Sequence, residues 1–328
     1  MKQGRLKQGL HPDPQVEGAP QPSTWPPRQQ SAWHSQEMQA FRDALRPPHG
    51  GTTRAGVLDD LSTYFNLSPS ECVQRCINWE QWSVAEWQLT PRDSPEAIKA
   101  FYTSVRSWAF DLMWYAYLQA EGHAYPVSVV IARSLRGRGA QMHHLDFGSG
   151  AGTTSQLFRR LGYDTSLADI SPTLLAFARF RLERRGEAAT YLDLNTTGLA
   201  DAQYDVITAV DTLVHVPFLE DTVRMLHRAL KPGGYLFANF DVRVTTDENA
   251  WHLYQDDRPL RWQLQRVGFE PEETLNGMVT RYRRVDPAAA IHLARSVRDA
   301  VLLRSPLRPL VRRTRRAARA VLATRSQS

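Results

Sequence analysis

The sequence predicts an α/β fold: a mostly parallel, doubly wound sheet of seven strands, closed by an antiparallel pair and preceded by a helical cap. Three observations carry this. The stretch His143-His144-Leu145-Asp146-Phe147-Gly148-Ser149-Gly150-Ala151-Gly152-Thr153-Thr154 runs from apolar residues through an acid into three alternate glycines, the pattern of a strand, a tight turn and a helix start. Beyond it, strand-like and helix-like runs alternate, as parallel βαβ units require. The last two strand-like runs, 269–275 and 278–285, lie too close for a crossover and must pair as a hairpin.

Taken in order, residues 1–56 hold eight of the twenty prolines by position 50, many glutamines and no sustained apolar period, so they are expected to be disordered. Trp25, Trp33 and Phe41 are their candidates for docking on the body. Order is expected from Val57, in a helical cap over 57–139. Leu58 to Phe65 reads as helix, and Ser68-Pro69-Ser70-Glu71 starts another with a capping Ser, a first-turn Pro and a capping-box Glu. Ser94-Pro95-Glu96 starts a third, with Ile98, Phe101, Tyr102, Val105, Trp108, Ala109, Leu112, Met113 and Ala116 at helical spacing. Residues 127–132 read as helix before a polar connector at 133–140. Seven of the nine tryptophans precede the glycine turn. Most are core groups, and some suit a cap that keeps water from a reacting centre.

In the domain 140–286, strands are expected at 142–147, 166–169, 190–194, 204–210 and 234–240, with helices at 153–161, 171–185 and 219–230. A further helix, from about Trp251 to Val267 and interrupted near Pro259, precedes the hairpin. The extension 287–328 resumes as helix, with Ile291, Ala294, Val297 and Val301 on one stripe and Val311, Ala318, Val321 and Leu322 on a second.

Composition narrows the function. None of the 328 residues falls in an uncharged apolar run of roughly 18, the length a membrane span needs, and the first residues lack the apolar core of a secretory signal, so a cytoplasmic protein is expected. Cys72 and Cys76, the only cysteines, are four apart; two thiols alone make a poor metal site, and packed thiols are expected, with no metal. The net charge of +6 is uneven: from Arg295 onward ten arginines face one acid, Asp299, which leaves the rest of the chain at −3. Basicity therefore belongs to the tail and gives no ground for expecting DNA binding. The tail fits a solvated segment, a basic helix on an anionic membrane surface, or an RNA contact.

The chemistry gathers at the strand ends. Asp169 ends the second strand and Asp193 the third. In a parallel sheet these ends line one edge, where such folds bind ligands. An acid after the second strand can accept both hydroxyls of a ribose, and one after the third an exocyclic amine. An adenosine-like ligand follows. A dinucleotide fingerprint would need glycine where the chain has Thr153, which disfavours a nicotinamide-dependent oxidoreductase. A non-catalytic nucleoside- or RNA-binding module remains the other alternative.

The spacing Asp146-x-Gly148-x-Gly150-x-Gly152 resembles the first motif of class I S-adenosylmethionine-dependent methyltransferases, whose fold is Rossmann-like. Leu167-Ala168-Asp169-Ile170-Ser171 is similar to the second motif of that family, and Tyr191-Leu192-Asp193 to the third. Tyr204-Asp205-Val206-Ile207, with Asp211-Thr212-Leu213-Val214-His215-Val216, resembles the fourth, and Leu226 to Gly234 the turn before the fifth strand. The resemblance implies S-adenosylmethionine as cofactor. It places Asp146, Gly148, Gly150 and Gly152 around the methionine half, Asp169 with Ile170 at the ribose, and Asp193 with Leu194 at the adenine. Asp211 and Thr212 would face the methyl group, and Tyr102 would approach from the cap. For Asp146, bracing of the loop is the alternative reading.

Such an enzyme mainly aligns nucleophile, methyl carbon and sulfur and excludes water, while a hydroxyl acceptor also needs a base. His215 and Asp211 are the candidates. His252 and Tyr254, with Asp256-Asp257 to orient an acceptor, are further ones; His143 and His144 read as packing residues. The expected acceptor is a small molecule, a sugar or secondary metabolite, methylated on oxygen or nitrogen.

Overall fold

The computed structural model describes residues 31–91, 94–138, 141–217, 219–242, 253–286, 291 and 294–299. Strands β1 (His143–Phe147), β2 (Asp164–Asp169), β3 (Thr190–Asp193), β4 (Tyr204–Ala209), β5 (Leu230–Ala238), β6 (Phe269–Leu275) and β7 (Val279–Arg284) form one seven-stranded sheet in the order β3-β2-β1-β4-β5-β7-β6. The first five run parallel; β7 pairs antiparallel with both β5 and β6. The register sets Asp169 opposite Asp193, so the two acids are cross-strand neighbours at the same edge.

The cap holds α1 (Gln36–Leu45), α2 (Thr53–Phe65), α3 (Pro69–Ile77), α4 (Trp79–Gln88), α5 (Pro95–Ser104), α6 (Ser107–Glu121) and α7 (Val127–Ser134). Helices α8 (Thr153–Arg160), α9 (Pro172–Glu183), α10 (Leu219–Ala229) and α11 (Asp257–Val267) alternate with the strands. One core joins cap residues such as Met38, Phe41 and Trp114 to Leu157, Phe158 and Phe177 of α8 and α9. Another, around Ile207, Leu226 and Leu264, fills the opposite face under α10 and α11. The sheet is thus doubly wound, and the cap lies outside α8 and α9.

Three expectations are corrected. Helix precedes Val57: Ser35 caps α1 through the Met38 N–H (3.1 Å), and Met38, Phe41 and Leu45 are buried at helical spacing against α8 and the cap. Pro47 and Pro48 follow this helix rather than interrupt it. The long helix expected from Ser94 to Ala116 is two helices, because Val105 turns to ψ 130°. The Glu86 carboxylate then accepts from the Arg106 and Ser107 N–H groups (3.3 Å each) and from Ser107 Oγ (2.6 Å), which caps α6 anew. Finally, α11 begins at Asp257 with Asp256 as its cap, so Pro259 sits in the first turn, where its missing N–H costs nothing.

The Ser68–Glu71 capping box is present as read. Cys72 and Cys76 are buried free thiols, and burial pushes the Cys72 thiol up to about 11. Among the described residues no group of three or more His, Cys, Asp or Glu is placed to hold a metal, and no helix is long and apolar enough to cross a membrane. The tail beyond Asp299, with its second stripe, lies outside the described residues.

Candidate active site

The glycine turn leaves β1 with Gly148, Gly150 and Gly152 all at positive φ (71°, 52° and 73°), a region that penalises any Cβ. Each glycine also meets a different neighbour. A Cβ on Gly148 would lie 2.3 Å from Thr212, one on Gly150 2.6 Å from Leu112 of α6, and one on Gly152 3.0 Å from Ala178 and Leu167. The first two therefore admit the loop after β4 and the cap onto the turn, while the third lets α9 and β2 pack behind it.

Asp146 points beneath this turn. Its Oδ2 accepts from the N–H (3.1 Å) and Oγ (2.7 Å) of Ser155, and its Oδ1 from Thr208 Oγ1 (2.9 Å). Burial pushes its carboxyl up to about 6, partly offset by these donors. His144 continues the chain: Nε2 lies 2.9 Å from Thr208 Oγ1, and its ring stacks on Phe158 at 3.9 Å. Burial lowers its pKa to about 3, which keeps the imidazole neutral. Asp146 and His144 thus act as internal braces. His143, by contrast, is partly exposed beside Asp164 (3.2 Å).

Asp169 faces the ligand edge. Its Oδ2 accepts from the Gly150 N–H and its Oδ1 from the Ser171 N–H, both at 2.8 Å, so one carboxylate clamps the turn to the start of α9. The Ile170 N–H also bears on this carboxylate, which with two lone pairs on each oxygen keeps acceptor capacity for a further donor. Burial pushes this carboxyl above its ordinary value, against the pull of its backbone donors. Asp193 Oδ1 accepts from the N–H (2.9 Å) and Nδ2 (2.7 Å) of Asn195, which also donates to Ile170 O (2.7 Å). The Leu194 N–H donates to Asp169 O (2.9 Å). The loops after β2 and β3 are thereby laced together. An open groove of about 370 Å³ runs outward from Asp193 along α9, past Pro172, Leu175, Arg179 and Tyr191. It shares only Asp193 with the strand-end acids.

Opposite them, Asp211 follows β4 in the left-handed region (φ 52°). Its N–H donates to Asn239 Oδ1 (2.7 Å), and Asn239 Nδ2 donates back to its carboxylate, closing a ring between the ends of β4 and β5. Sequence reading did not select Asn239; its signal was an amide immediately after the apolar run Tyr235 to Ala238. The cap's Tyr102 and Trp108 approach His215 with ring centroids 5.9 and 6.0 Å apart. Trp87, Phe101 and Tyr102 form one cluster with Ile170 packed against it, and burial pushes the Tyr102 hydroxyl well above its ordinary value. The Tyr254 hydroxyl donates to Val216 O (2.8 Å), which brings that residue to the same loop. Asp256 and Asp257 are engaged elsewhere, with Arg258 (2.6 Å) and Arg261 (2.8 Å), and His252 lies outside the described residues.

The structure thus gathers the glycine turn, Asp169, Ile170, Asp193, Leu194, Asp211, Thr212, His215 and Tyr102 at one sheet edge. The pieces fit a nucleoside carrying an amino-acid arm. Ser149 Oγ, inside the turn, is buried and has no hydrogen-bond partner among the described residues, and Asp169 keeps acceptor capacity beside it.

A family model described as "Methyltransferase domain" matches residues 145–238, from β1 through β5. The ubiquinone biosynthesis O-methyltransferase of Pseudomonas aeruginosa is 33% identical over 96 residues, 28% of this chain and 41% of the relative. The protein of that name from Methylococcus capsulatus is 34% identical over 107 residues, 32% of this chain and 44% of the relative. The chain therefore spans less than half the length of these curated relatives. Among solved structures, an S-adenosylmethionine dependent methyltransferase from Mesorhizobium loti aligns with a TM-score of 0.39 at 18% identity, over 49% of this chain and 97% of that one. The motifs that resemble those of class I S-adenosylmethionine-dependent methyltransferases all fall inside this one continuous methyltransferase-domain match, residues 145–238.

Proposed function

We propose that this protein transfers a methyl group from S-adenosylmethionine to an oxygen or nitrogen of a small-molecule acceptor. The observation that carries the reading is the convergence on one edge of a nucleoside seat, at Asp169 and Asp193, and an aromatic wall, at Tyr102, Trp108 and His215, with Asp211 across from it. When bound, the cofactor supplies a methyl already activated by the sulfonium, so the protein's task is alignment and exclusion of water.

Asp169 would accept from the ribose through its remaining acceptor capacity, and Asp193 with Leu194 would hold the adenine end. The turn Gly148–Gly152, with Ser149, would receive the amino-acid arm, while Asp146 fixes the turn from below. Tyr102 and Trp108 would cover the reacting centre from the cap, and Leu112 the amino-acid arm. A hydroxyl acceptor would lose its proton to His215 or Asp211. The relatives' name, O-methyltransferase, favours oxygen. A sugar or secondary metabolite fits a pocket walled by aromatic rings. Incubation with methyl-labelled cofactor and a small-molecule extract should place label in the small-molecule fraction; label found only in macromolecules would exclude this acceptor class.

A further inference from the structure

Behind the glycine turn lies a buried ionic cluster that the proposed chemistry does not use. Arg181 of α9 is fully buried and divides its guanidinium among three elements. Nε donates to Asp60 Oδ2 of α2 (3.0 Å), Nη1 to the carbonyl of Ala151 in the turn (2.6 Å), and Nη2 to Gln156 Oε1 of α8 (2.9 Å). Asp60, also fully buried, accepts in addition from Arg184 Nη1 (3.1 Å) and Arg185 Nη1 (3.0 Å). Arg184 reaches on to Asp59 Oδ2 (2.7 Å), and Arg185 Nη2 to the Arg46 carbonyl after α1 (3.1 Å).

Stability alone does not explain this arrangement. Desolvating two charges consumes most of what their attraction returns, and a packed apolar pair of similar volume often serves as well. An apolar side chain at 181 could not, however, hold the Ala151 carbonyl. The peptide unit is planar, so fixing that carbonyl also fixes the Gly152 N–H on its far side, which donates to Ser149 O (2.8 Å). The orientation of the turn around Ser149 is therefore set from behind, by a guanidinium whose own orientation is set by a cap carboxylate.

We propose that Arg181 is a positioning residue for the cofactor turn and that Asp60 ties this turn to the cap, so that cap placement and cofactor affinity are linked. The inference rests on the cofactor reading above. Its test is calorimetric titration of S-adenosylhomocysteine into the full chain and into Arg181→Lys, Asp60→Asn and Arg184→Gln, well below each unfolding midpoint, with hydrogen exchange of the segment 148–152 followed alongside.

Lysine keeps the charge but cannot reach Asp60, Ala151 and Gln156 together. Arg181→Lys should weaken binding tenfold or more and speed exchange in the turn. Asp60→Asn should weaken it at least threefold and stands in if the lysine variant does not fold. Arg184→Gln removes two bonds of the same cluster, to Asp60 and Asp59, but none to the turn, and should bind within twofold of the unaltered chain. Equal binding by Arg181→Lys, or by Asp60→Asn in its stead, overturns the inference, as does an equal loss in Arg184→Gln. If the unaltered chain takes up no S-adenosylhomocysteine, the cofactor reading fails, and this inference with it.

Discussion

Below the glycine turn, two titratable side chains oppose one another. His144 is held neutral, its pKa lowered from 6.5 to about 3, so its stabilising share is complete above pH 6.5 and is lost as pH falls toward 3. Asp146 is raised from 3.8 to about 6, so its share is complete below pH 3.8 and is lost as pH rises through 6. Replacing His144 by Gln removes the first effect and keeps an amide for Thr208. The difference in unfolding free energy between the unaltered chain and His144→Gln, measured in urea, should shift in favour of the variant as pH falls from 7 to 4. A difference that stays constant would show that His144 does not titrate as its burial implies. Across the site, Asn239→Ala would leave Asp211 in a left-handed backbone without either of its bonds to that amide. The expected stability cost is about 1–3 kcal/mol, with a fall in kcat that exceeds any change in the cofactor KM. An unchanged kcat would remove Asp211 from the reacting centre.

Among the elements, what could be read in the sequence was whatever depends on local pattern. The glycine turn, the acids closing β2 and β3, the Ser68 capping box and the closing hairpin are all set by short-range chemistry. What escaped depends on contacts between distant residues. Helix α1 is held by burial of Met38, Phe41 and Leu45, and the break before α6 by a carboxylate from α4. The ring between Asp211 and Asn239 joins residues 28 apart in sequence. Nor could spacing show that the three glycines face three different neighbours. Leu112 follows from this last point. It lies over Gly150, so α6 forms the roof of the amino-acid end of the proposed seat. Leu112→Trp should weaken S-adenosylhomocysteine binding about tenfold, roughly 1.4 kcal/mol, while Leu112→Ala should not. Equal binding by both variants would place the roof elsewhere.

In the molecule as a whole, a near-neutral catalytic body with a cap packed on one face is followed by an arginine-rich extension. The matched domain covers residues 145–238, which include the proposed cofactor residues from Asp146 to Thr212. The cap, which supplies Tyr102, Trp108 and Leu112, lies outside it. That division accounts for how readily the cofactor was read and how little of the acceptor was. Cofactor seats are built from turns and strand ends, whereas acceptor walls are assembled by tertiary packing. The central claim is the cofactor seat at Asp169, and thermal unfolding with S-adenosylmethionine, S-adenosylhomocysteine, NAD and NADP tests it most directly. At a hundredfold excess over Kd a bound ligand adds about 2.7 kcal/mol. The two sulfur nucleosides should therefore raise Tm by several degrees, the nicotinamide nucleotides should not, and Asp169→Ala should abolish the shift. Stabilisation by NAD alone, or an undiminished shift in Asp169→Ala, would contradict it.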